Sequence, residues 1–179
     1  GEGRATAIPD VAKVVIGVIA EKSGENAIGD IQKDNVKKMN AIIDFLRSKG
    51  VSEKDIKTQN YSISPQYTYY TCKDGGACPP AKISGYRISQ NVNVKIRDFE
   101  KIGEILGGVA GKGANSVSGL QFVIDDPEKA ESEARAEAIK RARSKAEAIA
   151  ASSGFRVGKI ISIDENNFRP TPIFAKSLD

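Results

Sequence analysis

Two long stretches in which apolar and polar residues alternate limit what this chain can fold into. In residues 55–71, aromatic or apolar side chains alternate with polar ones. The aromatic and apolar set is Tyr61, Ile63, Pro65, Tyr67 and Tyr69. Residues 83–97 repeat the pattern; their apolar set is Tyr86, Ile88, Val92, Val94 and Ile96. A period of two predicts strands with one buried and one wet face.

These two strands are expected to be the arms of one long antiparallel hairpin, whose tip holds residues 72–80. Pro65 has no backbone N–H to donate, and it therefore indicates that the first arm is an edge strand or is interrupted there.

The rest of the chain supplies the helices and strands that flank this hairpin. Apolar periodicity and β-branched content predict strands at 4–8, 11–20, 116–124 and 155–163, and helices at 27–49, 98–109 and 127–153. Asp98 and Asp126 are expected to cap the second and third helices, while Gly50 and Gly154 end the first and third. The order β-β-α-β-β-α-β-α-β predicts an α+β fold, with mostly antiparallel sheets covered by helices.

The chain is expected to form one domain over residues 1–179, with candidate subdomains at 1–85 plus the C-terminal tail and at 86–165, the latter resembling an α/β plait. In the long helix, alanines recur every four residues and allow close approach to a sheet or another helix. They are Ala130, Ala134, Ala138, Ala142, Ala146 and Ala150.

Composition narrows the functional class. The chain has 179 residues, is 40% hydrophobic, carries a net charge of +4 and contains no histidine. Acidic residues are interleaved with the basic ones, which predicts a solvated surface and no nucleic-acid partner. The missing histidine removes the commonest general base and metal ligand, so we expect no enzyme, cofactor or metal site. No apolar run is long enough for a membrane helix, and a removed export signal is compatible with the first residues.

A set of short motifs, in order and at characteristic spacing, carries a family resemblance. They are Gly1-Glu2-Gly3, Pro9-Asp10, Thr58 after Gly50-Val51, Pro65-Gln66-Tyr67, Gly85-Tyr86, Ile102-Gly103, Gly113-Ala114, Ala134-Arg135, and Ala142, Lys145, Ala146 and Ala150. From Gly1 to about Glu165 the chain resembles the SIMPL family. The resemblance implies an exported, periplasmic or secreted bacterial protein, with relatives linked to immunogenicity and oxidative-stress defence, some of which form channel-like rings. It implies no catalytic residues. Family members usually finish with a further strand, and a missing one would leave a sheet edge open.

Cys72 and Cys78 bracket a short glycine-containing loop. In an oxidising compartment we expect them to form a disulfide, which stabilises the hairpin tip by about 2 kcal/mol at most. A redox-active pair and a structural zinc site are the disfavoured alternatives, because the spacing is not Cys-x-x-Cys and two thiolates do not fill a tetrahedral site.

Two other motifs have structural interpretations. The glycine-rich stretch 107–113 lacks the spacing of a phosphate loop and is expected to end the second helix. Asp125 and Asp126 are adjacent, so their side chains diverge on an extended segment, and capping of the long helix is the preferred account.

Tyr61, Tyr67 and Tyr69 form an aromatic stripe, which is typical either of cross-strand packing or of a subunit interface. The function favoured by the sequence is self-association of a non-enzymatic exported protein, in envelope integrity or stress defence. The alternative is a module that binds a peptide or protein through an exposed sheet edge. An enzyme using a Ser–Lys dyad is the least favoured hypothesis.

Overall fold

The computed structural model describes residues 1–24, 27–69 and 79–165. Its strands are β1 (Val11–Ser23), β2 (Ile56–Thr68), β3 (Lys82–Ile96), β4 (Ser116–Val117) and β5 (Gln121–Val123). Its helices are α1 (Ile28–Ser48), α2 (Ile102–Gly111) and α3 (Glu128–Ser153), with 3₁₀ turns at Glu53–Asp55 and Phe99–Lys101. The described chain divides into two compact units, residues 10–122 and residues 1–9 together with residues from 123 onwards.

The first unit is built on an antiparallel sheet with strand order β2-β3-β1-β4, and β5 also pairs with β1. β1 lies antiparallel to β3 from Ala12 opposite Ile96 to Ser23 opposite Gly85. The two arms of the predicted hairpin, β2 and β3, pair antiparallel as expected. The α+β class and the long hairpin are therefore confirmed.

One face of this sheet forms the core with α1 and α2. Alternate residues of β1 and β3 are buried, as period-two alternation requires. The fully buried positions on these strands include Val14, Ile16, Val18, Ile88, Val92, Val94 and Ile96. α1 contributes Met39, Ile42 and Leu46 to the same cluster, and α2 contributes Ile105 and Val109. The core thus lies between one sheet face and two amphipathic helices.

The predicted helix ends are largely confirmed. Gly50 and Gly154 follow α1 and α3 with φ of 88° and 75°, a conformation that costs glycine little. The Asp126 carboxylate accepts a hydrogen bond of 3.1 Å from the Glu128 N–H at the start of α3. Asp98 accepts one of 3.2 Å from the Glu100 N–H.

The glycine-rich stretch ends the second helix, as expected, although the helix runs past the first two glycines of the stretch. α2 continues through Gly107 and Gly108 to Gly111, and the positive φ of 103° that marks its end falls at Gly113. The physical reason is packing: a Cβ on Gly108 would overlap the Phe45 ring of α1. Gly108 therefore lets α1 and α2 approach closely inside the helix.

Two predicted strands are wrong, and the order of elements changes accordingly. Residues 4–8 and 155–163 are not in strands, and the predicted strand at 116–124 is divided into β4 and β5. The described order is therefore β-α-β-β-α-β-β-α. The N-terminal segment lies along α3, where the Arg4 N–H donates to Glu137 Oε2 at 2.8 Å. Apolar alternation in residues 155–163 does not make a strand without a partner to complete its hydrogen bonds.

The alanine stripe of α3 does permit close approach, although the neighbour is neither a sheet nor a helix. A Cβ on Gly3 would overlap the Ala134 carbonyl oxygen, and one on Gly1 would overlap that of Ala138. The extended N-terminal segment thus lies directly against the alanine face of α3.

Candidate functional site: the open edge of the sheet

The two edges of the sheet differ in how their backbone groups are satisfied. On the β4 side, the loop after α2 supplies side chains that bond to the outer backbone of β1. The Ile19 N–H donates to Asn115 Oδ1 at 2.7 Å, and Asn115 Nδ2 donates to the Ile19 carbonyl oxygen at 2.6 Å. The Asn115 amide side chain therefore replaces a strand residue.

Ser118 makes an equivalent pair of hydrogen bonds four residues earlier on β1, at Val15. The Val15 N–H donates to Ser118 Oγ at 2.9 Å, and the Ser118 N–H donates to the Val15 carbonyl oxygen at 2.8 Å. The Asn115 N–H also donates to the Gly17 carbonyl oxygen at 3.1 Å. From Val15 to Ile19, this edge is closed to pairing with another chain.

β2 forms the opposite edge and is exposed along nearly its whole length. It is the outermost strand of the sheet order, and all its residues from 57 to 65 are exposed. The placement of Pro65 on an edge strand confirms one of the two predictions made for it. Register shifts between Thr58 and Asn60 and between Gln66 and Tyr67 interrupt the pairing with β3. Such irregularities and the proline blunt the edge without covering it.

The predicted tyrosines lie on or just beyond this edge strand. Tyr61 pairs with Gln90 and Tyr67 with Ile83 of β3, so the two rings have cross-strand neighbours. Both remain substantially exposed, at 41% and 46%, and Tyr69 is 79% exposed. With Ile63, they present an apolar stripe on the edge. Single exposed apolar residues are ordinary, but a stripe along an open strand marks an interaction surface.

A second exposed apolar run follows α3. Phe155, Val157, Ile160, Ile161 and Ile163 are all at least half exposed, and Ile161 is almost fully so. Arg135 of α3 pairs with Glu165 at the far end of this run, at 2.6 Å. The Glu165 carboxylate, through its hydrogen bond, raises the pKa of the Arg135 guanidinium.

An ion pair fixes the start of β2. Asp55 is almost completely buried, and its carboxylate accepts from Arg97 Nε at 3.0 Å and Nη2 at 3.1 Å. This hydrogen bonding holds the pKa of Asp55 below its ordinary value, against the opposing effect of burial. The two-point geometry therefore anchors the edge strand to the end of β3.

Several polar residues that shape this sheet have no simple sequence signal. In the sequence, Asn115 and Ser118 look like ordinary loop residues. Their hydrogen bonds to the backbone of β1 depend on the approach of their loop to that strand. Asn35 on α1, in contrast, is buried, and its Nδ2 donates to the Val18 carbonyl oxygen at 3.1 Å. For Asn35, a position on the buried face of the helix is the signal that the sequence offers.

Cys72 and Cys78 lie outside the described residues, so their disulfide stays a prediction. Among the residues that the structure describes, no group of three or more cysteine, aspartate or glutamate side chains is placed to share a metal ion. In the same part of the chain, no helix combines the length and apolar character needed to cross a bilayer.

Sequence comparison decides the family. The sequence model of the SIMPL family, which is described as a protein of unknown function (DUF541), matches residues 1–177. The chain belongs to the SIMPL family. Its relatives include the 26 kDa periplasmic immunogenic protein of Brucella melitensis, 30% identical over 174 residues, which are 97% of this chain and 67% of that protein.

Two further relatives of this SIMPL chain are enterobacterial. The uncharacterized protein YggE of Edwardsiella ictaluri is 29% identical over 96% of the chain and 69% of its own length. YggE of Escherichia coli K12 is 27% identical over 97% of the chain and 67% of its own length. The descriptions of the family and of these relatives indicate no enzymatic activity.

Proposed function

We propose that this chain is a non-enzymatic, periplasmic or secreted protein that self-associates through the β2 edge. The observation that carries the proposal is the contrast between the two edges. Asn115 and Ser118 bond to the outer backbone of β1, whereas β2 is an outermost strand whose exposed residues include Tyr61, Ile63 and Tyr67. Exposed edge strands pair readily with other strands, and tyrosine is enriched at interfaces.

The compartment and the physiological role are the less direct parts of the proposal. The Brucella relative is named as periplasmic, and an oxidising compartment suits the predicted Cys72–Cys78 disulfide. The support for a role in envelope integrity or oxidative-stress defence is the family resemblance alone. The absence of histidine from the whole sequence supports a non-catalytic role.

The test compares the mass of the native particle across three proteins by light scattering. The unsubstituted chain is expected to form a discrete multimer. Ile63→Lys with Tyr67→Lys adds charge to the edge and is expected to shift the mass to the monomer. Val117→Lys is the matched control, because Val117 is a similarly exposed apolar residue on the opposite edge strand. It should keep the multimer.

A monomer at high protein concentration would contradict self-association. In that case the same edge would be free for strand addition by a peptide, which is the alternative function. An equal loss of mass in the Val117→Lys control would show that the β2 edge is not the contact.

A further inference from the structure

Residues 155–163 have the pattern of a strand, yet among the described residues they are paired with none. Their apolar side chains alternate over most of the segment, at Phe155, Val157, Ile161 and Ile163. All four are at least half exposed. In the part of the chain that the structure describes, residues 156–163 form no backbone hydrogen bond with another segment. A strand partner would therefore cover apolar surface and bond to backbone groups at the same time.

The β2 edge has the length and the apolar surface that such a partner needs. At 13 residues, β2 is longer than the whole segment 155–163, and it is an outermost strand. Ile63 lies opposite the buried Ile88 of β3, so the apolar stripe of β2 continues the face of the sheet that carries the core. A strand added at this edge would cover Tyr61 and Ile63, which are 41% and 37% exposed.

Charge and periodicity favour one antiparallel arrangement of the two segments. Asp164 directly follows the segment, and Lys57 lies near the start of β2; both are exposed. Antiparallel pairing can therefore place opposite charges across from each other at this end. In its pairing with β3, β2 leaves Gln59 out of the register. If the added strand passes the same irregularity, Ile161 falls opposite Tyr61. The other pairs on that face would be Ile163 with Thr58, Val157 with Pro65 and Phe155 with Tyr67.

Two residues of the segment interrupt its alternation, and this register accommodates both. It places Lys159 opposite Ile63, where the aliphatic stem of the lysine can cover the isoleucine while the ammonium group stays in water. It places Ile160 opposite Ser62 on the wet face, and single exposed apolar residues are common there. The register thus assigns the neighbours Ile160 and Ile161 to opposite faces.

We propose that residues 155–163 of one copy of this chain add as an antiparallel strand to the β2 edge of a second copy. This inference rests on the proposed function and names the segment that binds the edge. Each copy has one edge and one segment, so the contact is head-to-tail and repeats from copy to copy. Such contacts close into a ring or extend into a filament, whereas the pairing of two β2 edges with each other would stop at a dimer.

The first test compares two neighbouring substitutions by light scattering over a dilution series. Ile160 and Ile161 are 80% and 99% exposed, so neither substitution removes a buried contact within the chain. Ile161→Lys is expected to raise the concentration at which the multimer dissociates by at least about tenfold, because it places a charge against Tyr61. Ile160→Lys adds the same charge on the wet face and is expected to change that concentration by less than about threefold.

A mixing experiment tests the head-to-tail geometry. The Ile63→Lys, Tyr67→Lys variant keeps an intact segment, and the Ile161→Lys variant keeps an intact edge. At a concentration where each variant alone is a monomer, an equal mixture should form a particle of two chains, because one productive contact remains between them. Absence of that particle would overturn the inference.

Cross-linking identifies the contact directly. A photo-reactive phenylalanine analogue in place of Tyr61, in a mixture of isotopically labelled and unlabelled chains, should form cross-links between the two kinds of chain at residues 155–163. Cross-links to the segment that are confined to one chain, or cross-links from residue 61 to β2 of another copy, would overturn the inference.

Failure of this inference can be distinguished from failure of the proposed function. If Ile161→Lys keeps the multimer while Ile63→Lys with Tyr67→Lys loses it, the segment is not the partner, and self-association through β2 stands. If the unsubstituted chain is a monomer at high concentration, both proposals are wrong.

Discussion

At the scale of single residues, buried polar groups fix the geometry of the sheet ends. The alternation of apolar and polar residues predicts which side chains of β3 are buried, and the structure agrees at Ile88, Val92 and Val94. The alternation does not predict that Asp55 is buried, since an aspartate beside a turn normally faces solvent. The Arg97 pair explains the burial, because a charge in the interior needs both a partner and hydrogen bonds.

The Asp55–Arg97 pair makes stability depend on pH. The folded-state pKa of Asp55 is depressed, so its stabilisation is present above the unfolded pKa of about 3.9 and is lost as pH falls through the folded pKa. Asp55→Asn should lower the free energy of unfolding by about 1.5–3 kcal/mol at pH 7, and by much less at the acid end of this window. Urea denaturation of the variant and of the unsubstituted chain, at pH 7 and at a pH below the folded-state pKa of Asp55, measures how the loss of stability changes with pH.

Asp44→Asn is the control for this substitution. Asp44 is 74% exposed and 3.6 Å from Arg47, so its loss should cost at most about 0.5 kcal/mol. Equal losses in the two variants, or a loss at Asp55 that does not change with pH, would contradict the role given to the buried pair.

At the scale of elements, the contact between α1 and α2 depends on a missing side chain. Gly108 faces the Phe45 ring, whereas a Cβ placed on the adjacent Gly107 would meet no packing neighbour within 4 Å. Composition alone suggests that both glycines weaken the helix or end it. Only the packing shows that one of them is required.

The adjacent glycines provide a matched pair of substitutions. Gly108→Ala should reduce the free energy of unfolding by about 1–3 kcal/mol, because the new methyl group must displace the Phe45 ring. Gly107→Ala should be neutral or increase it by up to about 1 kcal/mol, because alanine favours the helix and meets no neighbour. Thermal or urea unfolding of both variants checks the sign, and a loss at Gly107 as large as that at Gly108 would refute the packing argument.

At the scale of the whole molecule, the hydrophobic core belongs to one of the two units. Residues 10–122 hold both clusters of buried apolar side chains, whereas the buried apolar residue of the other unit is Ala150 among the residues described. Most of α3 is exposed, as are the residues that follow it up to 165. The single-domain organisation over 1–179 stays a prediction.

This division predicts that residues 10–122 fold without the rest of the chain. A fragment of these residues should unfold in one cooperative transition, because it retains the buried core and all pairing between β1, β2 and β3. Circular dichroism during urea denaturation measures the transition. The part of the other unit that contains α3, tested as a peptide of residues 123–165, should show no cooperative transition, and cooperative unfolding of that peptide would contradict the assignment of the core.

The sequence by itself determined the α+β class, the hairpin, the three helices and most of their caps, because those features depend on local periodicity and on residues that prefer helix ends. Tertiary structure decided which strands form, since residues 4–8 and 155–163 have strand-like patterns but no strand partner. It also decided that Asn115 and Ser118 close one edge of the sheet. These contacts depend on which distant segments lie side by side, whereas the alternation within one strand specifies only which of its faces is buried.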